Sequence, residues 1–258
     1  MAHLSATVLT FNEAAHIEAC IESLKGVADE IVVVDSFSTD GTPELCSRLG
    51  CKVTQRRMAG YGAQRQYATS LTSHDYVLAL DADEVLSPSL RQTILQLKEK
   101  GFDHRGSSFP RLNFYCGIPV KHCHWYPDIQ VRLFDKRYAN WNLHDVAERV
   151  IFRDNVRPKL LDGDILHYRC DTPDEYRETE RKHARYMSAR IADENTRIGS
   201  LTPMWMGIKS FLNCFITQGG ILDGIAGRDI CIERFHSARE AYRFARELQK
   251  EKHSLSSK

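Results

Sequence analysis

The segment Tyr76-Val77-Leu78-Ala79-Leu80-Asp81-Ala82-Asp83-Glu84 runs from an apolar stretch into a group of carboxylates. Read as a strand, it delivers those acids at its carboxyl end, the edge where open α/β sheets bind ligands. Residues at i and i+2 of an extended chain point to one face, so Asp81 and Asp83 address one site while Ala82 points away. One divalent ion and one ribose fit between them. Carboxylate oxygens suit the hard ions Mg²⁺ and Mn²⁺, which neutralise the charge that grows on a nucleotide diphosphate as its bond to a sugar breaks. The same acidic strand end also reads as a solvated turn that caps the helix behind it.

Two further strand ends offer similar groups. Val34-Asp35 closes an apolar run and is followed by the turn Ser38-Thr39-Asp40-Gly41-Thr42. Asp35 is placed to accept hydrogen bonds from a nucleobase or ribose, or to form an Asx turn into the next helix. Thr10-Phe11-Asn12-Glu13 leaves the first strand at the same edge, where loop backbone and Asn12 can grip a base, and Asn12 also reads as a helix cap.

The elements that must carry these groups alternate. Residues 5 to 9 form a short apolar strand, and Ile17, Ile21 and Leu24 then recur at helical spacing. Ile31-Val32-Val33-Val34 has the continuous apolar character of a parallel strand covered on both faces. Thr42-Pro43 supplies a second helix cap with proline at the first position, and Gly50 stops that helix. A strand around 51 to 53, a helix over about 63 to 71 and the strand over 76 to 80 continue the α/β pattern. Ser87-Pro88 starts a helix that ends near Gly101, after which short strands, turns and aromatic residues predict a mixed sheet to about His167. Thr172-Pro173-Asp174-Glu175 combines a capping box with proline at the first helical position and opens a helical tail, its first helix running to about Asn195. The expected organisation is a catalytic domain over 1–170, with a nucleotide-binding half over 1–100 and an acceptor half over 101–170, then a helical extension over 171–258.

Composition bounds the partners. With 258 residues, 42% hydrophobic and 27% charged, the chain can bury a substantial core. Its formal charge of +1 provides no broad field for DNA or RNA phosphates, so nucleic acid is not an expected partner. Eight cysteines are scattered without a repeated spacing and no signal peptide precedes them, which fits a reducing cytoplasm. Cys116, His122, Cys123 and His124 cluster locally, yet without the spacing of a structural zinc site. No apolar run reaches the roughly 20 residues of a membrane span.

Three ordered motifs carry a resemblance. Thr7-Val8-Leu9-Thr10-Phe11-Asn12-Glu13, the run from Ile31 through Asp35 to Thr42, and Leu80-Asp81-Ala82-Asp83-Glu84 together resemble family 2 glycosyltransferases. Segments 60–70, Arg132-Leu133-Phe134, 141–146 and Ile165-Leu166-His167-Tyr168 resemble the small non-processive branch that includes lipopolysaccharide-core β-1,4-glucosyltransferases. The resemblance spans most of residues 4 to 250. It implies a GT-A fold, α/β with a Rossmann-like nucleotide-binding sheet and a mixed-sheet acceptor half, plus the helical extension. It also implies an inverting, metal-dependent transfer from a nucleotide-diphosphate sugar, first of all UDP-glucose, to a lipopolysaccharide-core or other surface glycan.

Carried over by position, the resemblance implies that Thr10, Asn12, Glu13 and Asp35 line the nucleoside pocket, that Asp81 lies near ribose and metal, and that Asp83 ligates Mn²⁺ or Mg²⁺. The family pattern also suggests a histidine on the metal or diphosphate at His167, which otherwise is a strand-end histidine bonded to backbone. Where the branch places Arg-Asn after the glycine loop, this chain has Arg65-Gln66, and Arg65 joins the donor-binding set. Its common His-Glu pair is His144-Asp145 here. Inversion needs a base opposite the leaving diphosphate. Asp145 is the candidate, with Glu148 as the substitute and His144 to orient the carboxylate or touch the phosphate. Arg132 is a candidate for steadying the diphosphate, and Trp125, Tyr126 and Trp141 for stacking on acceptor sugars, although such aromatics also serve in cores.

The tail sets the apolar Met204, Trp205, Met206, Ile208, Phe211, Leu212, Phe215 and Ile216 among basic residues, with ten Lys/Arg against six Asp/Glu over 197–258. That asymmetry fits peripheral contact with anionic lipid on the inner face of the cytoplasmic membrane, or packing against the catalytic domain or a second subunit. Two other functions compete. A sugar-1-phosphate nucleotidyltransferase shares the α/β crevice but wants a glycine-rich basic loop near the first strand, which Thr10-Phe11-Asn12-Glu13 does not supply. A catalytically silent nucleotide- or glycan-binding module is left open by the aspartate at 145.

Overall fold

The computed structural model describes residues 2–143, 148–154, 156–194 and 197–256. They divide into two compact units, one within Met1–Arg111 and Asp128–His167, the other within Leu112–Pro127 and Tyr168–Lys258. The second unit thus takes residues 112–127 in addition to the C-terminal segment expected from the sequence.

The first unit opens with β1 (Leu4–Thr10), α1 (Ile17–Leu24), β2 (Glu30–Asp35), α2 (Thr42–Arg48), β3 (Lys52–Gln55), α3 (Tyr61–Ser70), β4 (Tyr76–Asp81), β5 (Glu84–Leu86) and α4 (Pro88–Lys100). The chain continues with β6 (Gly106–Tyr115) and β7 (Ile118–Pro119), which belong to the second unit from Leu112 on, then with β8 (Asp128–Asp135), β9 (Ala139–Trp141), β10 (Val150–Phe152), β11 (Lys159–Leu160) and β12 (Ile165–Cys170), the last of these in the second unit from Tyr168 on. The main sheet runs β3-β2-β1-β4-β8-β6-β12-β5, and β9 pairs with β10 separately. Strands β3, β2, β1 and β4 are mutually parallel, whereas β8 is antiparallel to β4 and β6 to β8. The parallel half followed by a mixed half is the predicted α/β architecture.

Alternation explains why β4 reads as one apolar run. Leu78 and Leu80 enter the main core with Ile17, Ile21, Leu24, Leu90 and Ile94, while Val77 and Ala79 enter a core on the other face with Phe134 and Trp141. Asp81 continues the odd-numbered parity, so it emerges on the face of Trp141 and α3.

Helix termini show which sequence signals acted. Ser87 caps α4 by accepting from the Leu90 amide at 3.2 Å, and Gly101 ends it with φ 93°. Asn12 does not cap α1, which begins at Ile17 without a side-chain cap. Gly41, not Thr42, is the N-cap of α2, and the Thr42 hydroxyl instead donates to Asp40 at 2.5 Å.

The second unit contains α5 (Pro173–Glu194), α6 (Thr202–Leu212), a π-helical turn over Asn213–Thr217, a 3₁₀ turn over Gly220–Asp223 and α7 (Gly224–Ser256). The Thr172–Glu175 capping box is formed in both directions, each bond 3.3 Å. Tyr115, Val120, Trp125, Tyr176, Ala226 and Ile230 form its core with four cysteines.

Candidate functional site

A cleft of about 400 Å³ opens in the first unit at the carboxyl ends of β1 and β4. It is lined by Leu9, Thr10, Phe11 and Glu13 from the end of β1, by Met58, Tyr61 and Arg65 around the start of α3, by Asp81, Ala82 and Asp83, and by Glu148 and His167. Parallel pairing of β1 with β4 brings Leu9 beside Asp81, which is why segments more than 60 residues apart share one edge.

The two aspartates of the acidic turn face different partners. Chain direction changes at Ala82-Asp83, a turn between β4 and β5, so the extended i, i+2 geometry does not hold. Asp81 takes Arg65 Nη2 at 2.6 and 2.9 Å and Arg132 Nη2 at 3.0 Å. Burial alone would raise the Asp81 carboxyl, but the two guanidinium groups hold it well below the usual carboxylate range. Both oxygens meet arginines, yet the side chain keeps 28% exposure on the cleft, so the carboxylate has acceptor capacity left for a metal ion. Asp83 Oδ2 instead lies 3.1 Å from His167 Nε2.

The expected contact of Arg132 with a diphosphate is corrected. Its guanidinium is buried and bonds Asp81 and Glu84, the latter at 2.8 Å, rather than reaching toward a diphosphate. Glu84 is fully buried between Arg132 and Arg111 and accepts the Asp81 amide at 2.9 Å, so it anchors the whole arrangement. Arg65 stacks over Trp141 at 4.6 Å and lies 3.5 Å from Glu148. Gln66 adds a bond to the Trp141 carbonyl at 2.6 Å, tying α3 to β9.

The loops after β1 and β2 interlock. Asn12, at φ 55°, accepts from the Thr39 amide at 2.9 Å and donates its own amide to Ser38 Oγ at 2.8 Å. Asp35 is fully buried and accepts from the Ser38 amide and hydroxyl and from Gln55 at 3.1 Å, whereas the Asx turn into α2 is made by Asp40, which accepts the Thr42 amide at 3.1 Å. Thr10 Oγ1 is buried with no hydrogen-bond partner among the described residues. Burial, opposed by the His16 hydrogen bond at 2.9 Å and reinforced by the charge on Asp83, leaves Glu13 above its ordinary value.

These charges fit a divalent cation. Asp83 offers a carboxylate oxygen and His167 an imidazole nitrogen on one cleft wall, beside a glutamate whose ionised form the negative charge of Asp83 disfavours. An ion held by few protein ligands leaves positions for phosphate oxygens and water.

The remaining candidates separate. His144 and Asp145 lie outside the described residues. Trp125 and Tyr126 belong to the second unit, where Trp125 is 5% exposed, edge-on to Tyr115 and Tyr176 and covered by Arg169. Trp141 is also buried, with one face under Arg65 and an edge contact to Phe134. Both tryptophans are corrected from acceptor platforms to core residues, since their faces are occupied by protein. No sequence pattern marks Phe11, Met58 and Tyr61 as site residues, although each is at least 44% exposed on the cleft. Large apolar side chains left open around a polar cleft are the signal for them, and that signal is three-dimensional.

A parallel sheet with acidic strand ends gathered around one cleft places the chain among the α/β proteins that bind a ligand at the carboxyl edge of the sheet. Residues 5–144 match the model of glycosyl transferase family 2, and the chain belongs to that family. It is 43% identical over 189 residues to an uncharacterized glycosyltransferase of Rickettsia conorii, covering 64% of this chain and 62% of that one. It is 30% identical over 187 residues to the lipopolysaccharide core biosynthesis glycosyltransferase LpsC of Rhizobium meliloti, covering 70% and 68%. The first Rickettsia relatives are matched over 31%, 33% and 61% of their own lengths. Among solved structures, S. aureus TarS is similar at 16% identity with a TM-score of 0.47, covering 90% of this chain and 55% of that one.

Proposed function

We propose that this chain is an inverting glycosyltransferase that moves a hexose, with glucose as first choice, from a UDP-sugar to a lipopolysaccharide-core or related surface glycan. The observation that carries the reading is the Asp83–His167 pair at 3.1 Å on a cleft that also holds Thr10, Glu13 and Arg65. Family membership supports transfer over nucleotidyl chemistry, and the similarity to LpsC supports the acceptor class.

In this reading the exposed Phe11 and Tyr61 pack on the nucleobase, and the unpartnered Thr10 hydroxyl and the Asn12 loop meet the nucleoside. Asp83 and His167 would hold Mn²⁺ or Mg²⁺, which would supply positive charge to the leaving diphosphate. Asp81, bonded by two arginines, presents an ionised carboxylate beside the ribose at neutral pH. A carboxylate base takes the acceptor hydroxyl proton as its oxygen bonds to the anomeric carbon. The carbon–oxygen bond to the diphosphate breaks with its electron pair leaving on UDP. Asp145 is assigned that base, because Glu148 is already engaged by Arg65.

The second unit supports a place at a lipid surface. No helix among the described residues is long and apolar enough to cross a membrane. Trp205 and Ile216 lie together with Ile208 and Leu212, and Leu201, Ile221, Leu222 and Ile225 are further apolar side chains at least 59% exposed, suited to the interface where a glycolipid acceptor resides. We place the protein on the cytoplasmic side of the membrane, with residues 171–258 as the extension that meets it.

A panel of UDP-, GDP- and CMP-sugars with Mn²⁺ or Mg²⁺ tests the proposal by nucleotide release. Release from a UDP-sugar that falls on chelation and in Asp83→Ala is the expected result. Release indifferent to both removes the mechanism, and no release with any donor and a core-glycan acceptor favours the silent binding module.

A further inference from the structure

Three thiols that are distant in sequence meet in the second unit. The Sγ atoms of Cys123, Cys214 and Cys231 all lie within 4.8 Å of one another, and the three residues are at most 1% exposed. Cys123 comes from the loop after β7, Cys214 from the π-helical turn and Cys231 from α7. A trigonal site with metal–sulfur bonds of about 2.3 Å places its sulfurs roughly 4 Å apart, within that spacing.

The surroundings hold the trio as a site is held. Cys123 and His124 are consecutive non-glycine residues in the left-handed region, at φ 58° and 60°. Their loop is clamped by the Cys123 amide on the Gln218 carbonyl at 2.9 Å, and by Asp223, which takes the His122 amide and Nδ1 at 2.8 Å each. Gly220 closes over the sulfurs so tightly that a Cβ there would lie 2.6 Å from Cys231 Sγ and 2.9 Å from Cys123 Sγ. The π-helical turn bearing Cys214 is a rare geometry that recurs at functional positions.

The charge balance also fits. Three thiolates around a mono- or divalent ion leave excess negative charge, and Arg234 has a buried Nε with no hydrogen-bond partner among the described residues.

We propose that Cys123, Cys214 and Cys231 form a three-thiolate site for one thiophilic metal ion of the Cu(I) or Zn²⁺ class, separate from the cleft of the first unit. Thiolate sulfur selects these soft or borderline ions. Binding replaces up to three S–H bonds with metal–sulfur bonds and releases those protons to solvent. The ion would fasten residues 112–127 to α7 and to the π-helical turn after α6.

The test is anaerobic titration of the full chain with Zn²⁺ and, separately, Cu(I), read by native mass spectrometry and by mapping which cysteines escape alkylation. One equivalent of either ion, with protection confined to Cys123, Cys214 and Cys231, is expected. Cys214→Ser should lose that equivalent while keeping its far-ultraviolet circular dichroism. If Cys214→Ser does not fold, the alkylation map of the wild-type chain decides alone. The proposal is overturned if neither ion binds stoichiometrically, if Cys214→Ser binds equally, or if protection falls on other cysteines.

Discussion

Arg65 and Asp81 form the central ion pair of the cleft, with Nη2 at 2.6 and 2.9 Å from the two carboxylate oxygens and the guanidinium stacked on Trp141. The pair joins α3 to the end of β4 and fixes an anionic group beside the turn that carries Asp83. Arg132 adds a further bond to Asp81 at 3.0 Å, and Glu84 holds both Arg132 and the Asp81 amide.

Removing the buried partner of this pair should destabilise the protein. Arg65→Met is expected to cost about 3 kcal/mol, near the lower end for buried pairs because Asp81 keeps some contact with water. Urea unfolding measures it, and in the Arg65→Met background Asp81→Asn should cost less than it does alone. Additive costs would mean that the two residues do not act as a pair.

Acid should expose the same linkage. The folded-state value of Asp81 lies below that of an unfolded aspartate, about 3.9. Its stabilisation is therefore complete above that value and is lost as pH falls through the folded one. Between pH 5 and 2 the wild type should lose stability more steeply than Asp81→Asn, as urea midpoints at each pH would record. Parallel curves would assign the acid sensitivity to other carboxylates.

His167→Ala should weaken divalent-ion use without unfolding the chain. At fixed UDP-sugar, the Mn²⁺ concentration for half-maximal nucleotide release is expected to rise at least about tenfold. An unchanged metal curve would leave His167 a structural residue within β12, not the strand-end histidine expected from sequence.

Asp145→Asn is expected to keep donor affinity while losing about 10²–10⁴-fold in turnover. Glu148→Gln serves as the comparison, and a larger loss there would transfer the base to Glu148. Calorimetric UDP binding and steady-state turnover separate the two effects.

Flotation with anionic vesicles should carry the full chain upward, and the combined substitution Trp205→Ser and Ile216→Ser should leave it at the bottom of the gradient. Both side chains are at least 65% exposed, so their loss perturbs little of the folded interior. Equal flotation of both proteins would place membrane contact elsewhere or nowhere.

Much of the fold is legible in local sequence signals. The apolar runs at 31–34 and 76–80, the Ser87-Pro88 start and Gly101 stop, and the Thr172 capping box each act within a few residues, so the chain itself specifies them. Ordered acidic strand ends also identify the edge of the sheet that carries the cleft. What a residue's side chain faces is not legible in this way. The turn at Ala82-Asp83 sends Asp81 to Arg65 and Arg132 and Asp83 to His167, and that depends on arginines 16 and 51 residues away. By residue type Trp125 and Trp141 suit sugar rings, but packing fills their faces. Cys123 reads beside Cys116, His122 and His124 in sequence, yet its sulfur meets Cys214 and Cys231, because only the folding of the loop onto α7 and the π-helical turn after α6 brings the three thiols within reach.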